Sequence, residues 1–291
     1  MKLQNKKAEG YGWENPNLIF YEEKMQREYD FYIVPTPIGN LDDITLRALE
    51  VLKSVDIIYC EDTRTTQKLL NHYDIKTKTE SYHKFNEKSK ADEIISNIKT
   101  GKKAALVSDA GTPMICDPGS VLVKELIKNN IKFTSLPGAC TIPVFLSEIP
   151  RENEVFTFAG FFPKTLQKAK EILSKHSDTA LVFYESPNRI IDTLKLIKEV
   201  RGDVQVGIGR ELTKLFEEII VDTTESVINH FSQGVKGEIV CIIYPDENSN
   251  IDIKTKINLL KNKGFKSKEI ANILSTLFDL NKNDIYKMTM E

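Results

Sequence analysis

The sequence has little of what several classes of protein depend on. No apolar run approaches the roughly 18 residues that a membrane-spanning helix needs. The four cysteines are scattered without a Cys-x-x-Cys pair, and the four histidines show no metal-ligand spacing. These absences argue against a membrane span, a disulfide framework and a zinc site, and they predict reduced thiols in a cytoplasmic protein that holds no metal.

The sequence also lacks a large net charge and the common phosphate-binding motifs. The formal net charge is only -2, so any binding to nucleic acid would depend on local basic patches. There is no Gly-x-x-x-x-Gly-Lys-Ser/Thr motif, and no Gly-x-Gly-x-x-Gly follows the first predicted strand. A nucleotide triphosphatase and an ordinary nicotinamide enzyme are therefore disfavoured. The loops suit a nucleoside-like ligand without phosphates.

What is present is a regular alternation of apolar runs and helical patterns. Residues 1–29 are polar and predict a loosely ordered extension, within which Met25 is a candidate natural start. Five strands then alternate with helices, which predicts an α/β fold with a parallel, doubly wound sheet. The predicted strands are Phe31 to Val34, Val55 to Cys60, Thr79 to Tyr82, Ala104 to Val107 and Lys132 to Leu136. Between them we expect helices at Ile44 to Lys53, capped by Asp42 or Asp43, and at Glu87 to Lys99.

The second half alternates again but predicts a mixed sheet. The strand Glu217 to Val221 follows the strand Val204 to Gly209 after a short turn, so this pair should be antiparallel. We therefore predict an N-terminal domain over 30–145 and a C-terminal domain over 146–245. A polar linker over 245–250 leads to a helical tail over 251–291 with eight lysines against five acidic residues. That tail is either a basic RNA-binding module or a solvated pair of surface helices.

Candidate site residues follow the predicted strands. The run Ser108-Asp109-Ala110-Gly111-Thr112-Pro113 comes directly after an apolar strand, where parallel sheets place their ligands. Asp109 would enter the crevice, and Gly111 would let a ligand approach the backbone. The alternative is a tight connection in which Asp109 caps a turn.

Two further motifs allow a structural and a functional interpretation. Glu61-Asp62-Thr63-Arg64 ends another strand, and a structural interpretation makes Asp62 or Thr63 a helix cap and Arg64 a surface partner. In Tyr184-Glu185-Ser186-Pro187-Asn188-Arg189, Ser186 would cap a helix with Pro187 at its first position. Arg189 would then meet a phosphate, a ligand carboxylate or an ion-pair partner.

These motifs together resemble the ribosomal RNA methyltransferase branch of the tetrapyrrole methylase superfamily. The resemblance rests on five motifs in order over about residues 31–244, namely Val34 to Leu41, Glu61 to Arg64, Ser108 to Pro113, Phe183 to Pro187 and Arg210 to Lys214. One departure is that Ala139-Cys140 replaces an expected Pro-Ser in a slightly shorter segment. This leaves the cofactor contacts there open, but not the fold.

The resemblance implies a two-domain class III methyltransferase fold. It also implies S-adenosylmethionine-dependent 2'-O-methylation of a cytidine in the decoding region of 16S ribosomal RNA, within the small subunit, by a homodimer. It assigns catalysis to Glu61, Asp62 and Arg64. The cofactor residues that it implies are Pro37, Gly39, Asp109, Ala110, Gly111, Thr112, Pro137, Gly138, Ala139 and Tyr184. The RNA contacts that it implies are Asn40, His83, Arg189, Arg210, Lys214 and Lys236.

Other interpretations remain open. Lys214 and Lys236 are otherwise solvated lysines, and His83 is otherwise a surface histidine at a strand end. A tetrapyrrole methyltransferase would share the fold and the cofactor, although the basic tail and Glu61-Asp62-Thr63-Arg64 argue against it. A non-catalytic RNA-binding assembly factor on the same fold would differ in failing to bind S-adenosylmethionine.

Overall fold

A computed structural model of the chain describes residues 28–151, 155–245, 253–278 and 280–290. Most of the predicted extension over 1–29 and all but the first residue of the predicted linker over 245–250 lie outside these residues. The described chain forms two compact units. The first contains residues up to Val34 together with 45–109 and 117–137, and the second contains 35–44, 110–116 and the chain from Gly138 onward. The predicted domain limits of 30–145 and 146–245 remain a prediction.

The first unit is built on a five-stranded sheet with the order β3-β2-β4-β1-β5. All neighbouring strands are parallel, as predicted. The strands are β1 Phe31–Ile33, β2 Ile57–Cys60, β3 Lys78–Ser81, β4 Ala104–Val107 and β5 Phe133–Ser135. Every residue of β2 and β4 is buried, as expected for inner strands of a parallel sheet that is covered on both faces. The carboxyl ends of β2 and β4 therefore carry Glu61 and Ser108 to the same edge of the sheet.

The helices of the first unit match the apolar periodicity but not every predicted cap. They are α1 Leu46–Ser54, α2 Thr63–His72, α3 Glu87–Lys99 and α4 Ser120–Lys128. The prediction that Asp42 or Asp43 caps α1 is wrong. Both residues lie in a 3-10 turn, Leu41–Asp43, and the hydroxyl of Thr45 instead accepts from the amide of Ala48 at 3.1 Å. The extra turn moves the helix start by two residues.

The second unit contains a mixed sheet with the order β6-β7-β10-β8-β9. Its strands are β6 Phe156–Phe161, β7 Ala180–Glu185, β8 Gln205–Arg210, β9 Glu218–Thr223 and β10 Ile239–Ile243. Only the β6–β7 pair is parallel, and β8 and β9 are antiparallel, as predicted. Apolar side chains cover both faces of this sheet in two separate clusters.

Four helices accompany this sheet, and one of them starts later than predicted. They are α5 Thr141–Ser147, α6 Leu166–Lys175, α7 Ile190–Arg201 and α8 Thr224–His230. The prediction that Ser186 caps α7 with Pro187 at its first position is wrong. Ser186 to Arg189 form a turn in which the carbonyl of Ser186 accepts from the amides of Arg189 and Ile190 at 3.0 and 3.1 Å. Arg189 therefore occupies the N-cap position.

The C-terminal segment forms three short helices with their own apolar contacts. These helices are α9 Ile253–Asn262, α10 Ser267–Phe278 and α11 Lys282–Met288. Their shared core is made of Ile257, Ile270, Ala271, Leu274 and Ile285. Lys256 lies over the ring of Phe278, with Nζ 4.1 Å from its centroid. Apart from Lys256, the lysines of the described tail are exposed, which fits both a basic RNA-binding module and solvated surface helices.

Candidate active site

The loop after β2 holds Asp62 and Arg64 in a local structure. The Asp62 carboxylate accepts from the amide of Arg64 at 2.8 Å and so caps α2. It also accepts from Nε of Arg64 at 3.1 Å and from Nη2 at 2.8 Å. These hydrogen bonds from Arg64 lower the pKa of Asp62 to about 2. The structural interpretation of Asp62 as a cap is confirmed, and the fork of Arg64, whose side chain is 88% exposed, pairs with it.

The loop after β4 meets the loop after β2 within the first unit. Oδ1 of Asp109 accepts from the amide of Asp62 at 3.2 Å, so Asp109 fixes the start of the catalytic candidate loop. Partial burial raises the pKa of Asp109; the hydrogen bond from the amide of Asp62 opposes this rise, and the charge of Asp62 adds to it. Asp109 was predicted to contact a cofactor, and the described contact gives it a positioning role as well.

Asp117 is a further member of this group that sequence reasoning missed. It hydrogen-bonds Ser108, and burial is the main reason that its pKa is raised. Burial also raises the pKa of Glu61, helped by the charges of Asp117 and Asp109 and opposed by His83. A signal for Asp117 existed in the sequence, since it lies just before a helix in the loop that follows the central strand.

His83 lies two residues after the end of β3 and is half-buried. Its amide donates to Oδ1 of Asn86 at 2.8 Å. Its ring Nδ1 is buried and has no hydrogen-bond partner among the described residues. The electrostatic effect of His83 on Glu61 brings it into the same group as the three carboxylates. In the part of the chain that the structure describes, no three or more His, Cys, Asp or Glu side chains are arranged to hold a metal ion.

Three of the predicted cofactor loops come together within the second unit. Thr36 and Gly111 exchange two backbone hydrogen bonds of 2.9 and 3.0 Å. The hydroxyl of Thr112 donates to the carbonyl of Ala139 at 2.9 Å. Gly111 has a φ of 76°, which L side chains rarely adopt, and a Cβ there would lie 3.2 Å from Cγ2 of Ile38. The pairing of these loops therefore depends on glycine at position 111.

The other predicted glycines also have packing reasons. A Cβ at Gly39 would lie 2.5 to 2.7 Å from atoms of Leu212, Thr213 and Lys214, and the amide of Asn40 donates to Oγ1 of Thr213 at 3.1 Å. A Cβ at Gly138 would lie 2.6 Å from Cβ of Pro35. These contacts explain the glycines through chain packing, and their role toward a cofactor stays a prediction. Ala110 and Pro137 are exposed, and Pro37 is buried.

Tyr184 and Arg189 lie at the end of β7 and in the turn that follows. The half-buried ring of Tyr184 makes edge contacts with Phe158 and Phe161 at centroid distances of 5.2 and 5.6 Å. Nη2 of Arg189 lies 3.2 Å from the buried carboxylate of Glu185 and donates to the carbonyl of Pro163 at 3.0 Å. The ion-pair interpretation of Arg189 is thus observed, while RNA contact by this residue stays a prediction.

The remaining residues predicted to contact RNA differ in whether their positive charge is paired with a carboxylate. Nζ of Lys214 lies 2.9 Å from both Glu211 and Glu238. Nε of Arg210 lies 2.9 Å from Glu218. Lys236, by contrast, is exposed.

Among the described residues, no helix is both long and apolar enough to cross a lipid bilayer. Residues 30–228 match the family described as Tetrapyrrole (Corrin/Porphyrin) Methylases, and the chain belongs to that family.

Curated relatives place the chain more narrowly. Ribosomal RNA small subunit methyltransferase I of Rickettsia prowazekii is 38% identical over 267 residues, which are 88% of this chain and 95% of that protein. The proteins of the same name from Vibrio cholerae and Hydrogenobaculum sp. are 40% and 46% identical, covering 89% and 73% of this chain and 94% of each relative. The chain therefore belongs to the ribosomal RNA small subunit methyltransferase I family, which confirms the predicted branch.

Solved structures of more distant relatives support the fold. The methyltransferase CobJ matches with a TM-score of 0.57 at 15% identity, over 75% of this chain and 100% of that one. A diphthine synthase matches with a TM-score of 0.56 at 13% identity, over 74% of this chain and 89% of that one. The sequence identities are too low to say which substrate this chain uses. The TM-scores confirm the predicted two-sheet fold.

Proposed function

We propose that this chain transfers the methyl group of S-adenosylmethionine to the 2'-hydroxyl of a cytidine ribose in 16S ribosomal RNA. The observation that carries the proposal is the identity of 38 to 46% with relatives named as small-subunit RNA methyltransferases, over most of their length. The decoding region and an assembled small subunit are the proposed context of the target, and the cytoplasm is where such subunits occur. A homodimer is the proposed assembly.

The loops of the second unit fit such a cofactor chemically. Around the Thr36–Gly111 pairing they offer small side chains and main-chain groups, without any phosphate-binding motif. A nucleoside without phosphates is recognised by groups of this kind. When bound, S-adenosylmethionine supplies an electrophilic methyl group on a sulfonium. Within this unit we assign the cofactor contacts to the residues predicted for them, Pro37, Gly39, Ala110, Gly111, Thr112, Gly138, Ala139 and Tyr184.

Glu61 is the proposed general base. A ribose hydroxyl is a very weak acid, so a carboxylate that accepts its proton accelerates attack by the oxygen. Partial burial and the charges of the neighbouring Asp117 and Asp109 raise the pKa of Glu61, which makes its carboxylate a stronger base than a glutamate at the ordinary pKa. In this scheme the proton moves from the ribose oxygen to a carboxylate oxygen of Glu61.

Arg64 and Asp62 are proposed to position the RNA. The guanidinium fork of Arg64 matches a phosphate as well as it matches Asp62, its partner in the free protein. Exchange of that partner for an RNA phosphate would release the fork to the substrate while Asp62 keeps capping α2. Correct placement of the ribose oxygen is worth a large part of the rate enhancement in a displacement reaction.

The experiment that tests the proposal compares wild-type protein with Glu61→Gln on purified small ribosomal subunits that lack the modification. Calorimetry measures the affinity for S-adenosylmethionine, and nucleoside mass spectrometry measures methyl transfer. We expect wild-type methylation, a large loss in the variant and equal cofactor affinity in both. Failure of the wild-type protein to bind S-adenosylmethionine would instead support a non-catalytic assembly factor.

A further inference from the structure

A cleft of about 410 Å³ opens within the second unit, and none of the residues that line it is assigned to catalysis or to the cofactor. Arg210 at the end of β8, Glu218 at the start of β9 and His230 at the end of α8 line it. The following loop supplies the rest of the lining, Phe231, Gln233, Gly234, Val235 and Lys236. The cleft thus contains the side chains of three basic residues, Arg210, His230 and Lys236, and one carboxylate.

Glu218 holds two of these basic side chains in place. Its Oε2 accepts from Nε of Arg210 at 2.9 Å, and its Oε1 lies 2.8 Å from Nε2 of His230. Burial alone would raise the pKa of Glu218, but His230 and Arg210 outweigh burial and lower it, so the carboxylate stays ionised. Nη1 of Arg210 donates to the carbonyl of Lys236 at 3.2 Å. Nη2 of the same guanidinium makes no hydrogen bond to the described residues.

Lys236 differs from the other cations of the second unit that were predicted to bind RNA. Lys214 is matched by two carboxylates, Arg189 by Glu185 and Arg210 by Glu218. The ammonium group of Lys236 has no ion-pair partner in the described chain, although the backbone of the residue is held by Arg210. The negative charge of Glu218 offsets the positive charge of Arg210, so the positive charge of Lys236 in this cleft has no compensating carboxylate.

The loop that carries Lys236 is fixed to the turn after β8. Gly237 has a φ of 95°, and its backbone approaches Glu211 so closely that no Cβ would fit there. The amide of Glu238 donates to Oε1 of Glu211 at 2.9 Å. A cation on an anchored loop loses less conformational freedom on binding an anion than one on a free loop.

We infer that this cleft binds a backbone phosphate of the RNA substrate through Lys236, Nη2 of Arg210 and the side-chain amide of Gln233. A phosphate fits better than a base, because the one aromatic ring in the lining, Phe231, is only 5% exposed and offers no stacking surface. The inference rests on the proposed function, since it names side chains that would hold the backbone of that substrate.

The test measures equilibrium binding of small ribosomal subunits as a function of salt concentration. Gln233→Glu is nearly isosteric and adds a negative charge to the cleft, while Lys236→Ala removes the uncompensated cation. Gln167→Glu and Lys195→Ala are matched controls, because both residues are exposed on helices outside the cleft. We expect Lys236→Ala to reduce the salt slope by about one and to weaken binding on the order of tenfold near 0.1 M salt.

Gln233→Glu should weaken binding in the same direction, and both controls should bind like the wild type. Wild-type affinity and salt slope in both cleft variants would overturn the inference even if the protein methylates RNA. Wild-type protein that binds subunits but transfers no methyl group would instead remove the proposed function and leave the cleft as a binding site. The affinity for S-adenosylmethionine, expected to be unchanged in all four variants, verifies that they are folded.

Discussion

Replacing Arg189 distinguishes clearly between two roles for this residue, an RNA contact and a structural ion pair. Its partner Glu185 has a carboxylate that is 2% exposed and accepts from the amide of Ser186 and the hydroxyl of Thr193, both at 2.7 Å. Nη2 of Arg189 lies 3.2 Å from the same carboxylate. We therefore predict that Arg189→Ala destabilises the protein, whereas a residue used only for RNA would leave stability unchanged.

The magnitude follows from how much of the pair is buried. Removing one partner of a fully buried ion pair costs about 3 to 5 kcal/mol, because a buried charge is left uncompensated. The side chain of Arg189 is 33% exposed, and Glu185 keeps two other donors, so we expect about 2 kcal/mol. In a protein of 291 residues that corresponds to a fall in melting temperature of roughly 3 °C, because the entropy of unfolding is about 2.1 cal/mol/K per residue.

Urea unfolding and binding to small ribosomal subunits together test this prediction. The matched control is the double variant Glu185→Gln, Arg189→Ala, which removes the buried charge along with its partner. The double variant should lose less stability than Arg189→Ala alone, because no buried charge is left and the neutral amide still accepts a hydrogen bond from the hydroxyl of Thr193. An unchanged unfolding midpoint in Arg189→Ala, combined with weaker subunit binding, would refute the structural reasoning and support the predicted RNA contact.

Three further predictions concern the active site and the tail. Glu61→Gln should lower kcat about 10²- to 10⁴-fold. Because partial burial and the charges of Asp117 and Asp109 raise the pKa of Glu61, wild-type activity should fall as the pH drops through that raised pKa. Asp117→Asn removes one of these charges and should therefore move the loss of activity to lower pH. Arg64→Ala should reduce methyl transfer strongly at saturating cofactor, with only partial rescue by Arg64→Lys, and full activity of a folded alanine variant would reduce the motif to a helix cap. Deleting residues 251–291 should weaken subunit binding and flatten its salt dependence while cofactor affinity persists, because the tail has its own apolar core.

Regular elements were predictable because their signals are local. Apolar runs and helical periodicity predict β4 and α3 with the bounds that the structure has. The short turn after β8 likewise predicts its antiparallel pairing with β9. Helix caps were harder, because several polar residues precede each helix and backbone conformation selects one of them. Thr45 was selected over Asp42 and Asp43 by a 3-10 turn that no sequence pattern indicated.

The candidate site was predictable by position but not by contact. Parallel strands bring their carboxyl ends to one edge, so Glu61 and Asp109 could be expected near each other. The contacts of Asn40 with Thr213, and of Arg210 with the carbonyl of Lys236, join residues far apart in sequence. Such pairs follow from the tertiary packing and leave no periodic signal.

Transfer of a labelled methyl group tests the central claim most directly. The purified protein would be incubated with methyl-deuterated S-adenosylmethionine and small ribosomal subunits, and in a parallel reaction with a porphyrinogen. Nucleoside mass spectrometry of the recovered 16S RNA then locates the label. We predict label on the ribose 2'-oxygen of a cytidine and none on the porphyrinogen. Label on a base or on the porphyrinogen, or no label in the RNA, would contradict the proposed function.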